Sequence, residues 1–199
     1  MSFSEIFSYF LLVAFTENVV FARGLGSSKS FRYMKDKKEL LIYSAALLVI
    51  LLPSSLVCYF VEGQFLDLHQ NTKNIIFPAI SIIVVTVFYF LSGVGVSFIK
   101  KEDLKNELLS MVPSSVYSYI TVGILMLQGR QNLSLPQCII LSIGSVIGFL
   151  LATFLMSYSA EYLESNKILK PFRGTPIKIL FIGLMSLAFY GLSGHNLSF

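Results

Sequence analysis

The chain is poor in the side chains on which most enzyme active sites depend. It has two histidines, two cysteines and no tryptophan among 199 residues, and only 13% of its residues are charged. His69 and His195 lie outside the long apolar runs, so no such run offers imidazole ligands for a membrane haem. Cys58 and Cys138 form no CxxC motif, and Walker, GxGxxG and HExxH sequences are missing. These absences argue against the common nucleotide-binding and metallohydrolase classes.

What the chain has in abundance is apolar sequence. Hydrophobic residues make up 55% of it, and the mean hydropathy is +0.74. Six runs reach the length of about 20 residues that a helix needs to cross the bilayer core. We therefore predict an all-α integral membrane protein with six transmembrane helices. The predicted spans are residues 4–22, 38–61, 74–99, 107–128, 135–160 and 176–194.

The basic residues predict the orientation of these spans. All 15 of them except Lys73 and Arg130 fall after spans 1, 3 and 5 or at the ends of those spans. Loops rich in lysine and arginine stay on the cytoplasmic side. We therefore expect both termini on the outer side. Membrane orientation also accounts for the net charge of +4, so nucleic acid is not expected as a partner.

The six spans divide the single membrane domain into two halves of three, residues 1–104 and 105–199. An odd number of spans per half inverts one half relative to the other, which is the geometry of inverted repeats. Such folds place their functional centre where one span of each half is interrupted. Candidate interruptions are residues 23–28 (RGLGSS) and 112–115 (VPSS). The alternative is an ordinary helix end and an ordinary first-turn proline.

Glu17 and Asn18 are the polar pair deepest in a predicted span. An ionisable group at the membrane centre costs about 2.5–3.5 kcal/mol on insertion scales, so it suggests a function. Glu17 and Asn18 are therefore candidates for an ion path, in which the carboxylate binds a cation or proton or stays protonated as a hydrogen-bond donor. The alternative is that Glu17 lies close to the cytoplasmic surface or pairs with Arg23.

Small residues and thiols have simpler interpretations. Gly144 and Gly148 form a GxxxG motif, which lets two helix backbones approach closely, and we interpret it as packing. Cys58 and Cys138 are both predicted near the outer face, where they either meet or remain separate buried thiols.

The C-terminal segment carries a recognisable signature. Residues 171–176 read PFRGTP and residues 183–194 read GLMSLAFYGLSG, which closely resembles the PFRG…GLMSLAF.GFSG signature of the RnfA/NqrE family of membrane subunits. The segments ENVV…LG at residues 17–26 and VP…G at residues 112–123 resemble family segments in spans 1 and 4. The signature positions in this chain are Pro171, Phe172, Arg173, Gly174, Gly183, Gly191 and Gly194.

The resemblance implies a fold and partners. Family members belong to the Rnf and Na+-pumping NADH:quinone reductase complexes of the bacterial inner membrane, which couple electron flow to Na+ or H+ movement. It implies six helices in two inverted repeats, together with a homologous subunit of opposite orientation and other redox subunits. A second copy of this chain is the alternative partner.

One departure from the family bears on cofactors. The family places a cysteine in each half, and these hold an iron–sulfur cluster together with the partner's cysteines. The matching positions here are Ser28 and Tyr119, which cannot replace thiolates in an ordinary cluster site. We therefore expect a divergent, non-catalytic subunit of a translocase without its own cluster. The alternatives are a stand-alone or dimeric transporter of a small solute or ion, and a structural or assembly subunit.

Overall fold

The structure, a computed structural model, describes residues 2–64, 70–97, 102–131, 133–164 and 168–192, and all regular elements in these ranges are helical. A π-helical turn, Leu12–Thr16, continues the first helix, and a 3₁₀ turn, Lys170–Phe172, precedes the last. The helices are α1 (Phe3–Leu11), α2 (Ser27–Tyr33), α3 (Lys37–Gly63), α4 (Gln70–Ser97), α5 (Glu102–Val116), α6 (Tyr119–Gln131), α7 (Leu135–Leu163) and α8 (Thr175–Leu192).

Four segments are long and apolar enough to cross a membrane. They are α3, residues 75–97 of α4, the combined stretch of α5 and α6 from residue 108 to 131, and residues 135–160 of α7. Two shorter apolar helices, Phe3–Thr16 and Thr175–Gly191, correspond to the first and last predicted spans. The prediction of an all-helical membrane protein is confirmed at this level, whereas the count of six crossings stays a prediction.

Local sequence signals explain where the two central helices begin. The Asp36 carboxylate caps α3 by accepting hydrogen bonds from the backbone N–H groups of Lys38 and Glu39 at 2.9 and 3.2 Å. Ser134 begins α7 with a capping box, in which Gln137 accepts from the Ser134 backbone N–H at 2.9 Å. Each cap satisfies donors that the first turn of a helix leaves without partners.

The core lies between α3 and α7, and α4, α5 and α6 also pack on α3. Tyr33 and Tyr43 stack at 4.6 Å between ring centroids, and Tyr43 also contacts Phe149 at 5.6 Å. Leu47 and Leu51 are buried on the same helix as Tyr43. The two long helices therefore form the frame that positions the shorter broken ones.

The first predicted span is not one regular helix, since α1 and its π turn end at Thr16. Helix α1 and its π turn run along α7, and the separate helix α2 also contacts α7. Hydropathy misses α2 because its charged residues resemble a loop. Successive contacts with α7 pair Val13 with Gly144, Asn18 with Gly148, Ser30 with Thr153 and Lys35 with Glu164.

Helix α8 lies at the side of this bundle and packs on the π turn and the 3₁₀ turn. Phe189 anchors it by stacking on Phe21 at 5.0 Å and on Phe15 at 6.3 Å. Its signature glycines Gly183 and Gly191 face open space, since a Cβ added to either would meet nothing within 4 Å. The signature position Gly194 lies outside the described residues.

Candidate functional site

The first break in the helices follows the π turn. The Glu17 backbone N–H donates to the Leu12 carbonyl at 2.8 Å, the i to i−5 pattern of a π-helix, and the chain is then non-helical until Ser27. Residues 19–21 of this irregular stretch are buried. Non-helical backbone at membrane depth is tolerated only where protein covers it or where it lines a cavity. π-Bulges frequently accompany functional sites.

Asn18 holds this break together. Its side chain is 0% exposed, and its amide N–H groups donate to the carbonyls of Ala14 at 2.8 Å and Gly148 at 2.9 Å. Its carbonyl oxygen accepts from the backbone N–H groups of Val20 at 2.9 Å and Phe21 at 3.2 Å. Four hydrogen bonds use up the capacity of this amide, so Asn18 ties the break to α7 and has no oxygen left over for an ion.

The GxxxG motif of α7 packs against the chain just before this break. A Cβ added to Gly148 would lie 3.0 Å from the Ala14 carbonyl oxygen, and one added to Gly144 would lie 2.9 Å from a Val13 methyl carbon. The packing interpretation of this motif is therefore confirmed, and its partner is the end of the first half-helix.

The second break separates α5 from α6 at residues 117 and 118. The predicted interruption at residues 112–115 was placed too early, because the helix continues past Pro113 to Val116. The Ser118 hydroxyl oxygen accepts from the Ile120 backbone N–H at 3.2 Å, and Tyr43 donates its hydroxyl hydrogen to the same oxygen at 3.2 Å. A serine side chain thus starts α6, which the proline alone does not reveal.

The two breaks lie against each other. Gly26, with φ of +78°, begins α2, and a Cβ there would lie 2.6 Å from Ile120 Cγ1 at the start of α6. A Cβ on Gly123 of α6 would lie 2.7 Å from the Leu25 side chain. Only glycine combines this left-handed backbone with this close approach. The first-half and second-half breaks therefore form one interface inside the chain.

A pocket of about 120 Å³ lies between α1, α6 and α7 beside the first break. We call it the break pocket. Glu17 and Arg23 form an ion pair at its wall. The buried Ser145 hydroxyl also lines it and has no hydrogen-bond partner among the described residues. The full polar lining is Tyr9, Glu17, Arg23, Gln131 and Ser145.

The sequence left open whether Glu17 pairs with Arg23, and the structure shows where this pair lies. Arg23 lines the break pocket with the last turns of α6 and also borders a second pocket with Arg130. Ser145, across the break pocket, is ten residues into α7 and so about 15 Å from the start of that helix. The predicted alternative that Glu17 pairs with Arg23 is confirmed, and the pair lines the break pocket with both side chains partly exposed.

The two family cluster positions flank the breaks on the surface of the chain. Ser28 is exposed two residues after Gly26, and Tyr119 is 76% exposed directly after the second break. Their hydroxyl groups do not fit an iron–sulfur cluster, whose irons require thiolates or occasionally imidazoles. Among the described residues no three His, Cys, Asp or Glu side chains converge on a possible metal position.

The two cysteines lie on other helices than the breaks. Cys58 and Cys138 are buried free thiols on α3 and α7, and Cys58 lies about one turn before the carboxylate of Glu62 on α3. Glu62 falls one residue after the predicted end of span 2, whereas α3 continues through Gly63. The spacing of Ser55, Cys58 and Glu62 along one helix face was the available signal.

The signature turn before α8 lies at the other end of α7. Glu164 forms ion pairs with Lys35 at 2.7 Å and Lys178 at 3.2 Å, and Arg173 donates to the Ile168 carbonyl at 2.8 Å. The hydrogen bond from Lys35, followed by that from Lys178, lowers the pKa of Glu164 below its usual value. Gly174 adopts a φ of +82° here, which explains the glycine of the PFRG signature.

Comparison with known proteins finds a family and relatives that match most of this chain. The family described as Rnf-Nqr subunit, membrane protein, matches residues 6–195. One subunit of the ion-translocating oxidoreductase complex of Histophilus somni is 29% identical over 192 residues, covering 94% of this chain and 96% of the relative. One subunit of the Na(+)-translocating ferredoxin:NAD(+) oxidoreductase complex of Acetobacterium woodii is 26% identical over 186 residues, covering 92% and 94%. The corresponding protein of Vibrio vulnificus is 27% identical over 192 residues, covering 94% and 97%.

Proposed function

Since the chain belongs to the Rnf-Nqr family of membrane subunits, we propose that it is one component of a membrane complex that couples electron transfer to ion translocation. The observation that carries this proposal is the family match over residues 6–195, together with relatives that align along nearly their whole length. The relatives are named as subunits of ion-translocating oxidoreductase complexes. We assign the chain to the bacterial inner membrane.

In this proposal the chain crosses the membrane six times with both termini outside. The broken first passage and the broken α5–α6 pair support two inverted halves, residues 1–104 and 105–199. Each half begins with an interrupted helix, and the two interruptions meet at Gly26 and Ile120. Inverted-repeat membrane proteins place their functional centre at such paired interruptions.

The chain works without its own iron–sulfur cluster. Serine and tyrosine stand where the resemblance places cluster cysteines, and the two thiols of the chain lie on other helices. Iron analysis of the purified assembly tests this. The double variant S28A/Y119F should retain the iron content of the wild type, and a stoichiometric loss of iron would overturn the cluster-free assignment.

Partner binding uses the surface around the breaks. Tyr119 and the neighbouring Tyr117 are large, exposed aromatic side chains, which are enriched in protein interfaces. The partner in this proposal is a homologous membrane subunit, with a second copy of the chain as the alternative. Mild-detergent purification of the tagged chain from its native membrane should recover the homologue and the redox subunits. Recovery of the tagged chain alone would contradict the proposal.

The break pocket is the proposed ion path through this chain. Glu17 supplies a carboxylate there, but Arg23 already neutralises it, so a cation enters only when the pair separates. The E17Q variant should keep the complex assembled while slowing ion uptake relative to electron transfer. If ion uptake and electron transfer both stay at the wild-type rate, the path does not use Glu17.

A second function is favoured by one observation, the unpartnered Ser145 hydroxyl in the break pocket. A polar pocket between broken helices is also the arrangement of transporters that work without redox partners. Proteoliposomes containing only this chain distinguish the two functions. The redox-complex proposal predicts no solute or ion uptake above empty liposomes, and uptake that E17Q abolishes would favour the transporter. If the chain contributes no site to either function, its role is structural or in assembly of the complex.

A further inference from the structure

The carboxylate of Glu62 points from α3 onto α6 at a position where α6 has no side chain. A Cβ added to Gly129 would lie 3.0 Å from Glu62 Oε1 and 3.1 Å from a ring carbon of Phe77. The Glu62 side chain is half-buried in this gap. The glycine thus leaves room for a charged group beside an aromatic ring, in apolar surroundings that penalise a bare carboxylate.

A buried amide faces this carboxylate. Gln128 is 1% exposed and directly precedes Gly129, the residue that Glu62 Oε1 approaches. Ser55 fixes the Gln128 amide from both sides, since its hydroxyl donates to Gln128 Oε1 at 2.6 Å and its backbone carbonyl accepts from Gln128 Nε2 at 2.9 Å. The amide is therefore held in place to contact the carboxylate, and its own oxygen is already occupied.

The described side chains give Glu62 no ion-pair partner, in contrast to Glu17 and Glu164. The titratable groups that face it are the thiols of Cys58 on its own helix and Cys138 on α7. Helix α4 contributes Phe77, and α6 contributes Gln128 and Gly129.

We propose that Glu62 and Gln128 form a proton-exchange site at the end of the bundle where α3 and α6 finish. The carboxylate takes a proton from water, becomes a neutral carboxylic acid bonded to the Gln128 amide, and returns the proton to water on release. A proton fits better than Na+ because a hard cation needs several oxygen ligands, whereas the amide oxygen is engaged and the remaining neighbours are thiols and a phenyl ring.

Helix α6 is shared by the site and the break pocket, because Leu127 and Gln131 line the pocket while Gly129 lies at the site. In the proposal, Glu62 exchanges protons at the end of the bundle where α6 finishes. That this exchange contributes to ion translocation rests on the proposed function, whereas the site itself does not.

Dicyclohexylcarbodiimide tests the site directly, because it reacts with protonated carboxyl groups in apolar surroundings. The full-length protein in lipid nanodiscs is labelled between about pH 6 and 9, a range that separates neutral from ionised carboxyl groups in apolar sites, and each glutamate is quantified by peptide mass spectrometry. We expect labelling of Glu62 that falls at least about fivefold as the pH rises, and labelling of the exposed Glu102 that stays near background.

Several outcomes overturn the proposal. Glu62 that stays unlabelled at all pH values, labelling independent of pH, or labelling equal to that of Glu102 would show an ordinary surface carboxylate. Protection by NaCl but not by choline chloride at fixed pH would assign a Na+ site instead. E62Q must lose the label, and E62D must keep it if the variant folds.

Vesicles containing the assembled complex separate this proposal from the proposed function. If deletion of the whole chain leaves electron-driven ion uptake intact, the proposed function fails while the labelling result stands. If deletion abolishes uptake but E62Q leaves it at the wild-type level, Glu62 plays no part in translocation.

Discussion

Glu17 and Glu62 lie beside two faces of α6, and their electrostatic surroundings differ. On one face Glu17 is paired with Arg23 beside a buried, fully hydrogen-bonded Asn18. On the other face Glu62 meets the uncharged amide of Gln128. The first arrangement pairs its charges beside a break in the backbone, while the second has no ion-pair partner among the described residues. In our proposals the carboxylate without a described ion-pair partner exchanges protons, whereas Glu17 takes part in ion movement only when its pair with Arg23 separates.

The largest expected effect on stability is at Asn18, beside the Glu17–Arg23 pair. N18A leaves the backbone N–H groups of Val20 and Phe21 without their partner and removes the tie to Gly148. We expect a loss of about 3 kcal/mol in unfolding free energy, since each unsatisfied buried donor costs about 1–3 kcal/mol. Denaturant unfolding in detergent measures it. N106A, at an exposed asparagine, is the control and should change stability by less than about 0.5 kcal/mol.

The second effect separates strain from packing at the interface of the breaks. Gly24 and Gly26 both have positive φ, but only Gly26 has a neighbour at the place of its missing Cβ. G24A should cost about 1 kcal/mol from backbone strain alone, and G26A about 2–3 kcal/mol because Ile120 must also move. Equal losses in thermal stability for the two variants would show that the breaks do not pack as described.

The third effect tests the pairing of Glu17. R23Q leaves the Glu17 carboxylate without its cationic partner, whereas E17Q/R23Q removes both charges. Breaking a fully buried pair costs about 3–5 kcal/mol, but these side chains are 42% and 31% exposed, so we expect about 1–2 kcal/mol for R23Q. The double variant should recover most of that loss. A double variant less stable than R23Q would contradict a pair whose main role is charge neutralisation.

The fourth expected effect on stability is small and concerns Glu62. E62Q replaces a carboxylate by a neutral amide that still reaches Gln128, and it removes no ion pair. We expect the unfolding free energy to change by less than about 1 kcal/mol. A loss as large as that of R23Q would mean that the Glu62 charge is compensated by a cation, and the contrast between the two faces would fail.

The smallest effect concerns Glu164, a third carboxylate that has two lysine partners at the other end of α7. Its pKa is lowered in the folded protein, so its ion pairs contribute stability at neutral pH that is lost as the pH falls through that lowered pKa. With the carboxylate 38% exposed, we expect only about 0.5 kcal/mol. E164Q should therefore be less stable than the wild type at neutral pH and equal to it in acid.

The sequence predicts the helical runs but not the course of the first one. Hydropathy detects α3 and α7, and the capping residues Asp36 and Ser134 mark their starts. Helix α2 escapes detection because Lys29 and Arg32 lower its average hydropathy, although Ser30 and Tyr33 are buried against the core. Hydropathy averaged over a window does not detect a helix that buries only one apolar face and exposes charged residues on the other.

The candidate site is predictable in part. The chance that Glu17 pairs with Arg23 is visible from their separation along a helix end, and the GxxxG packing follows from its spacing. The place of the pair beside α6 depends on how the irregular stretch folds, which no local pattern encodes. Glu62 was missed because the predicted span ended at residue 61, and its contact with Gln128 joins distant parts of the chain.

Electron-driven ion uptake tests the central claim most directly. Inverted vesicles are prepared from cells that lack this chain and from cells in which the wild-type chain is restored, and ion uptake is measured while the electron donor is oxidised. We expect uptake to be lost in the deletion and to return with the wild-type chain. Full coupled uptake in vesicles without the chain would contradict it.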